Sequence, residues 1–121
     1  SWDKFEADGK TFWDGVRNYQ ARNNLKAMKK GDLVLFYHSN EGMEVVGIAK
    51  VLKEAYQDPT TEDERWVVVD LKAHKKLKNP VSLATMKSIP ELAQIALIRQ
   101  GRLSVMPLKA EEFDKILELS E

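Results

Sequence analysis

The spacing of apolar side chains divides the chain into helical and extended stretches. Trp2 and Phe5 stand three apart, which predicts a short helix over residues 2–7 with Ser1 as its cap and Gly9 at its end. Residues 10–17 have no period and read as an ordered loop carrying Phe12, Trp13 and Val16. Ala21, Leu25 and Met28 recur at i, i+4 and i+7, predicting a helix over residues 19–30, capped by Asn18 and stopped at Gly31. The period then shortens to two. Residues 33–39 set Leu33, Leu35 and Tyr37 on one face and Val34, Phe36 and His38 on the other, a strand whose end turns polar. A turn at Asn40-Glu41-Gly42 leads into a long strand over residues 43–56, where Gly47 marks a bulge or a close backbone approach. After the polar connection at 58–63, a third strand covers residues 66–77. Ser82 caps a short helix to about Ile89, and Pro90 begins another turn. Residues 102–108 read as a last strand, and 110–119 as a closing helix with Phe113, Ile116 and Leu117 inward. Hairpin-connected strands with helices between them and at the end predict an α+β domain around a small barrel.

Length fits this picture, since 121 residues suffice for one domain with a single core. A hydrophobic fraction of 43% and a charged fraction of 31% are those of an ordinary globular chain. No apolar run is long enough for a membrane helix, and the first residues carry no signal-peptide core, so no membrane partner is expected. The absence of cysteine removes disulfides, thiolate nucleophiles and cysteine metal sites, and fits a cytoplasmic location. His38 and Ser39 are neighbours on a strand and point to opposite faces, so they form no dyad. There is no Walker sequence, no GxGxxG and no histidine cluster, so the expectation is no catalytic residue, no metal and no cofactor. A monomer is expected, since no exposed heptad or long apolar strip is visible.

Charge changes the picture through its layout. Lys+Arg and Asp+Glu are equal at 19 each, so no global field draws the protein to nucleic acid. Yet Arg17, Arg22, Lys26, Lys29 and Lys30 fall in a stretch without an acid, as do Lys72, Lys75, Lys76 and Lys78. The acids gather at 54–64 and 111–121. Such polarity makes either one positive face or a set of alternating solvated surfaces.

Four segments are richer in polar and aromatic residues than a fold requires: WDGVRNYQARN from Trp13, FYHSN from Phe36, VGIA from Val46 and RLSVMPL from Arg102. In this order they resemble the EVE domain, a member of the PUA-like superfamily related to the YTH and ASCH domains. EAYQDPT at 54–60 is similar to the family's EAYPDPT, with Gln57 in place of the first proline. The resemblance covers nearly the whole chain, residues 1–121, as a single domain. It implies a pseudobarrel of five or six strands flanked by helices. It also implies a non-enzymatic module that reads a modified, flipped-out base, a cytosine or adenine in DNA or RNA, in an aromatic pocket. Family members begin with a strand of the type WLxKSEP whose Lys and Ser line that pocket. This sequence starts at Ser1-Trp2-Asp3, after that strand, which is expected to be missing.

A flipped base needs an aromatic face, for which Trp13 is the first candidate. Asn18, Ser39 and Asn40 can read a base edge, with Tyr37 or His38 as a further wall. Arg17, Arg22, Lys26 and Arg102 are the candidate contacts to the nucleic-acid backbone. Structural readings stand beside each of these. Trp13 closes the barrel core, Asn18 only caps its helix, Tyr37 and His38 are satisfied within the packing, Ser39 and Asn40 end a strand, and Arg17 or Arg102 pairs with an acid. Trp2 and Trp66 are assigned to packing. Two further functions remain open: a sensor of a free modified nucleoside or nucleotide, and a protein-interaction module.

Overall fold

The computed structural model describes residues 2–13, 16–38, 42–100 and 103–121. Helix α1 (Trp2–Asp8) ends at Gly9, whose φ of 81° suits glycine and whose N–H donates to the Phe5 carbonyl. The chain then enters strand β1 (Lys10–Trp13), where a loop was expected. Four residues are too few to show a period, and this strand exists because β4 offers it a ladder: Lys10 lies opposite Lys72, and Trp13 opposite Val69. Helix α2 (Tyr19–Ala27) starts at the predicted cap, where Asn18 Oδ1 accepts the Ala21 N–H at 2.9 Å. It stops three residues before the expected Lys30, because Asp32 Oδ2 accepts the Lys29 N–H and the Gly31 N–H donates to Val51.

Strands β2 (Leu33–His38), β3 (Glu44–Gln57) and β4 (Val67–Ser82) complete an antiparallel sheet of order β1-β4-β3-β2. β4 runs five residues past the predicted Leu77. Pro80 is tolerated there because it falls in a bulge: Gly47 faces Lys76, but Val45 faces Val81. The α+β class and the helix-flanked sheet stand, with four strands among the described residues against the five or six expected. One expected strand does not form in the segment after Arg102. Leu103 and Val105 are buried, yet Leu103–Leu108 pairs with no strand; the Val105 carbonyl accepts from Asn24 Nδ2 on α2 at 2.6 Å. Helix α3 (Leu83–Lys87), a 3-10 turn (Pro90–Leu92), helix α4 (Ala96–Arg99) and helix α5 (Ala110–Leu119) follow.

Two cores form, divided by the pleat. Ala49, Val51, Val69 and Leu71 pack with Trp2 and Phe5 of α1 and Ala21 and Leu25 of α2. Val45, Ile48, Leu77 and Val81 pack with Met86, Leu92, Ile95 and Ile116 from the later helices. Gly47 is both a bulge and a close approach, as its place in mid-strand suggested. A Cβ there would lie 2.5–2.6 Å from three atoms of the Trp2 ring, so only glycine lets α1 settle on the sheet. Past Ile48 the second face has an exposed row. Leu33, Lys50, Lys72 and Lys10 lie opposite one another across all four strands, three ammonium groups side by side.

Candidate nucleic-acid interface

Alternation along β1 sends Thr11 and Trp13 toward the α1 side of the sheet and leaves Phe12 at the rim, 43% exposed. Trp13 meets Phe36 edge to face, with centroids 6.0 Å apart and planes at 87°. Phe36 in turn contacts Phe5, Trp2 and His38, so a connected set of rings runs from the core to the surface. Beside them opens a cavity of about 420 Å³, lined by Lys4, Phe5, Asp8, Thr11, Phe12, Trp13 and Phe36. Its walls are aromatic, and its polar groups are one ammonium, one carboxylate and one hydroxyl. It is of a size that takes a single small ligand.

The other candidates from the sequence are distributed differently. Ser39, Asn40 and Arg102 lie outside the described residues, as does Ser1. Tyr37 shares the Leu35 face and packs against the second core, where burial raises its pKa, so the sheet separates it from Trp13. His38 is on the Phe36 side, and its Nε2 accepts the Trp2 backbone N–H at 2.9 Å, a bond that needs the ring proton on Nδ1. Asn18 uses its side-chain oxygen on the α2 cap. Arg17 donates to Asp58 Oδ2 at 3.0 Å, and Asp58 is fully buried, accepting also from the Thr60 N–H and hydroxyl. Arg22 and Lys26 are on the surface of α2, with Arg22 Nη2 donating to Asn23 Oδ1 at 2.9 Å.

A second aromatic group lies at the end of the β3–β4 connection. Trp66, assigned from the sequence to packing alone, is only half-buried. The Tyr19 ring lies 5.2 Å from it at a 35° tilt and is 52% exposed. Arg17 and Arg65 approach Trp66 at 5.6 and 5.8 Å, and Arg22 approaches Tyr19 at 5.0 Å. Arg65 Nη1 donates to the Tyr19 hydroxyl at 3.0 Å, while Nε and Nη2 grip the Asp63 carboxylate. That grip holds Asp63 down to about 2 and raises Arg65. Tyr19 and Arg22 are one helical turn apart, a spacing visible in the sequence; their union with Trp66 and Arg65 across more than forty residues is not.

The sequence pattern of the EVE domain matches residues 1–119. The chain belongs to the EVE domain family. Among solved structures it is similar to a protein from Agrobacterium tumefaciens, with a TM-score of 0.97 and 44% identity over 99% of this chain and 84% of that one. It is also similar to human THYN1 protein in complex with 5-methylcytosine-containing DNA, with a TM-score of 0.93 and 37% identity over all of this chain and 85% of that one. Thymocyte nuclear protein 1 from Homo sapiens is 39% identical over 92% of this chain, which spans 60% of that relative's length. Within this EVE domain, every cavity residue but Trp13 was passed over as a site candidate in the sequence: Lys4, Phe5, Asp8, Thr11, Phe12 and Phe36. Phe36 was legible as the apolar partner of Val34 on the alternate face, but which face meets Trp13 depends on where β1 pairs.

Proposed function

We propose that this EVE domain is a non-enzymatic reader of a modified base in nucleic acid, holding the base out of its stack in the cavity beside Trp13. The observation that carries this reading is the aromatic cavity of Trp13, Phe12 and Phe36 in a chain closely similar to a protein solved with 5-methylcytosine DNA. A base leaving its stack needs a ring on which to re-stack, and Trp13 and Phe12 offer faces at the cavity rim. A 5-methyl group adds apolar surface that suits phenylalanine walls, and the Asp8 carboxylate is an acceptor suited to a cytosine N4 amino group. Nothing in this mechanism breaks a bond: the domain discriminates by fit and desolvation.

The test is a tryptophan-fluorescence titration with oligonucleotides carrying cytosine, 5-methylcytosine, 5-hydroxymethylcytosine or methylated adenine, as DNA and as RNA, at two salt concentrations. The expected result is a modification-dependent, salt-sensitive quench that Trp13→Ala weakens roughly ten-fold or more with the fold intact. Equal binding by Trp13→Ala and the parent chain overturns the pocket assignment. The cavity volume also fits one free nucleoside, which supports the sensor reading as second. Reversing the charge of Lys26, Lys29 and Lys30 separates the two, since it leaves nucleoside binding intact and removes most of the strand binding.

A further inference from the structure

The Tyr19–Trp66 pair is unused by the cavity reading, yet it is an exposed aromatic surface ringed by guanidinium groups. We propose that Tyr19, Trp66, Arg22 and Arg65 form a second nucleotide site. It would hold a neighbour of the base at Trp13, with the Tyr19 ring against the neighbouring base and the guanidiniums on its phosphates. The proposal rests on the reading of the domain as a nucleic-acid binder and adds the contact to the flanking strand.

Position supports it first. Trp13 pairs with Val69 on β4, and Trp66 lies just before that strand, about 10 Å of backbone from Val69 at strand rise. A short run of an opened strand covers such a separation. Electrostatics supports it next. Arg17 is committed to buried Asp58 and Arg65 to Asp63, whereas Arg22 donates to two neutral oxygens, Asn23 Oδ1 and the Arg65 carbonyl. Arg22 is thus the one of the three guanidiniums whose hydrogen bonds go to neutral oxygens, and it lies against the tyrosine. Rigidity is the third support. One guanidinium bridges Asp63 and the Tyr19 hydroxyl, so the ring is fixed before a ligand arrives and little side-chain freedom is lost on binding. Stacking on such a ring is indifferent to which base it meets, and Arg22 beside it supplies a charge-assisted bond to phosphate.

The experiment titrates the whole chain with a single-stranded oligonucleotide containing one 5-methylcytosine, and separately with the 5-methylcytosine mononucleotide. Tyr19→Ala is expected to weaken the oligonucleotide roughly ten-fold, while Tyr19→Phe, which keeps the ring and loses only the Arg65 tether, loses roughly two-fold. The mononucleotide should show no difference between those two variants. Arg22→Ala should reduce the log–log salt slope for the oligonucleotide by roughly 0.7, the share of one phosphate. Unchanged oligonucleotide affinity in Tyr19→Ala, or an equal loss for both ligands, overturns the second site. If the parent chain binds neither ligand, the base-reading function itself falls and takes this site with it. If Trp13→Ala loses binding while Tyr19→Ala does not, only the second site falls.

Discussion

Trp13 lies on β1 opposite Val69, and Trp66 lies just before β4, three residues from that Val69; different forces hold them. Trp13 ends a chain of rings, Phe36, Trp2 and Phe5, that is continuous with the first core, so its cavity keeps its shape through apolar packing. Trp66 is dressed by Tyr19 and by guanidiniums tied to carboxylates, so its surroundings keep their shape through charge and directed hydrogen bonds. Core-built surfaces are insensitive to salt and pH but fail when a ring is removed. Charge-built surfaces tolerate truncation but respond to the medium. The two sites can therefore be perturbed separately.

The largest effect is expected from the core side. Trp2 is buried, its indole N–H has no acceptor among the described residues, and it is held by shape against Gly47 and Phe36. Trp2→Ala should cost about 3–5 kcal/mol in urea unfolding, whereas Tyr19→Ala should cost less than about 1 kcal/mol. Comparable losses would show that the two regions share one scaffold after all. A smaller effect separates them by pH. Asp63 has its folded pKa lowered to about 2 by Arg65, so the stabilisation it contributes is complete above the ordinary carboxylate value. That contribution fades as pH falls through about 2. An NMR titration of the Asp63 carboxyl should find that low inflection, and Arg65→Ala should return it toward the ordinary carboxylate value, with the Trp13 cavity unaffected. The smallest effect tests charge away from both sites. Lys72 lies between Lys10 and Lys50, so Lys72→Glu should raise Tm by about 2 °C at low salt, a gain that disappears at high salt.

What could be read from the sequence was what neighbours in sequence decide. The Asn18 cap, the alternation of β2 and the bulge at Gly47 depend on a few adjacent residues, and the structure has them where the pattern placed them. β1 was missed because a four-residue strand is defined by its partner on β4, not by its own period. RLSVMPL alternates like a strand, but its described part, Leu103–Leu108, lies against α2 through Asn24, and Pro107 has no N–H to give a ladder. For the site, parity along β2 was plain, but the face that meets Trp13 was set by long-range pairing; Phe36, not Tyr37, is the ring beside it. Trp66 was legible as an aromatic but not as part of a surface, because Tyr19 reaches it from a helix far back in the chain.

Among the described residues β1 is an edge strand paired to β4 alone. Lys10–Trp13 therefore finds its ladder only once Val69–Lys72 has been synthesised and has paired with β3. The long β3–β4 hairpin closes over a short connection, while β1 must close a loop containing two whole strands and a helix, which costs more chain entropy. Residues 10–13 thus dock after the hairpin that offers them a ladder. Trp13, the ring on which the proposed recognition depends, takes its place only once that hairpin is formed.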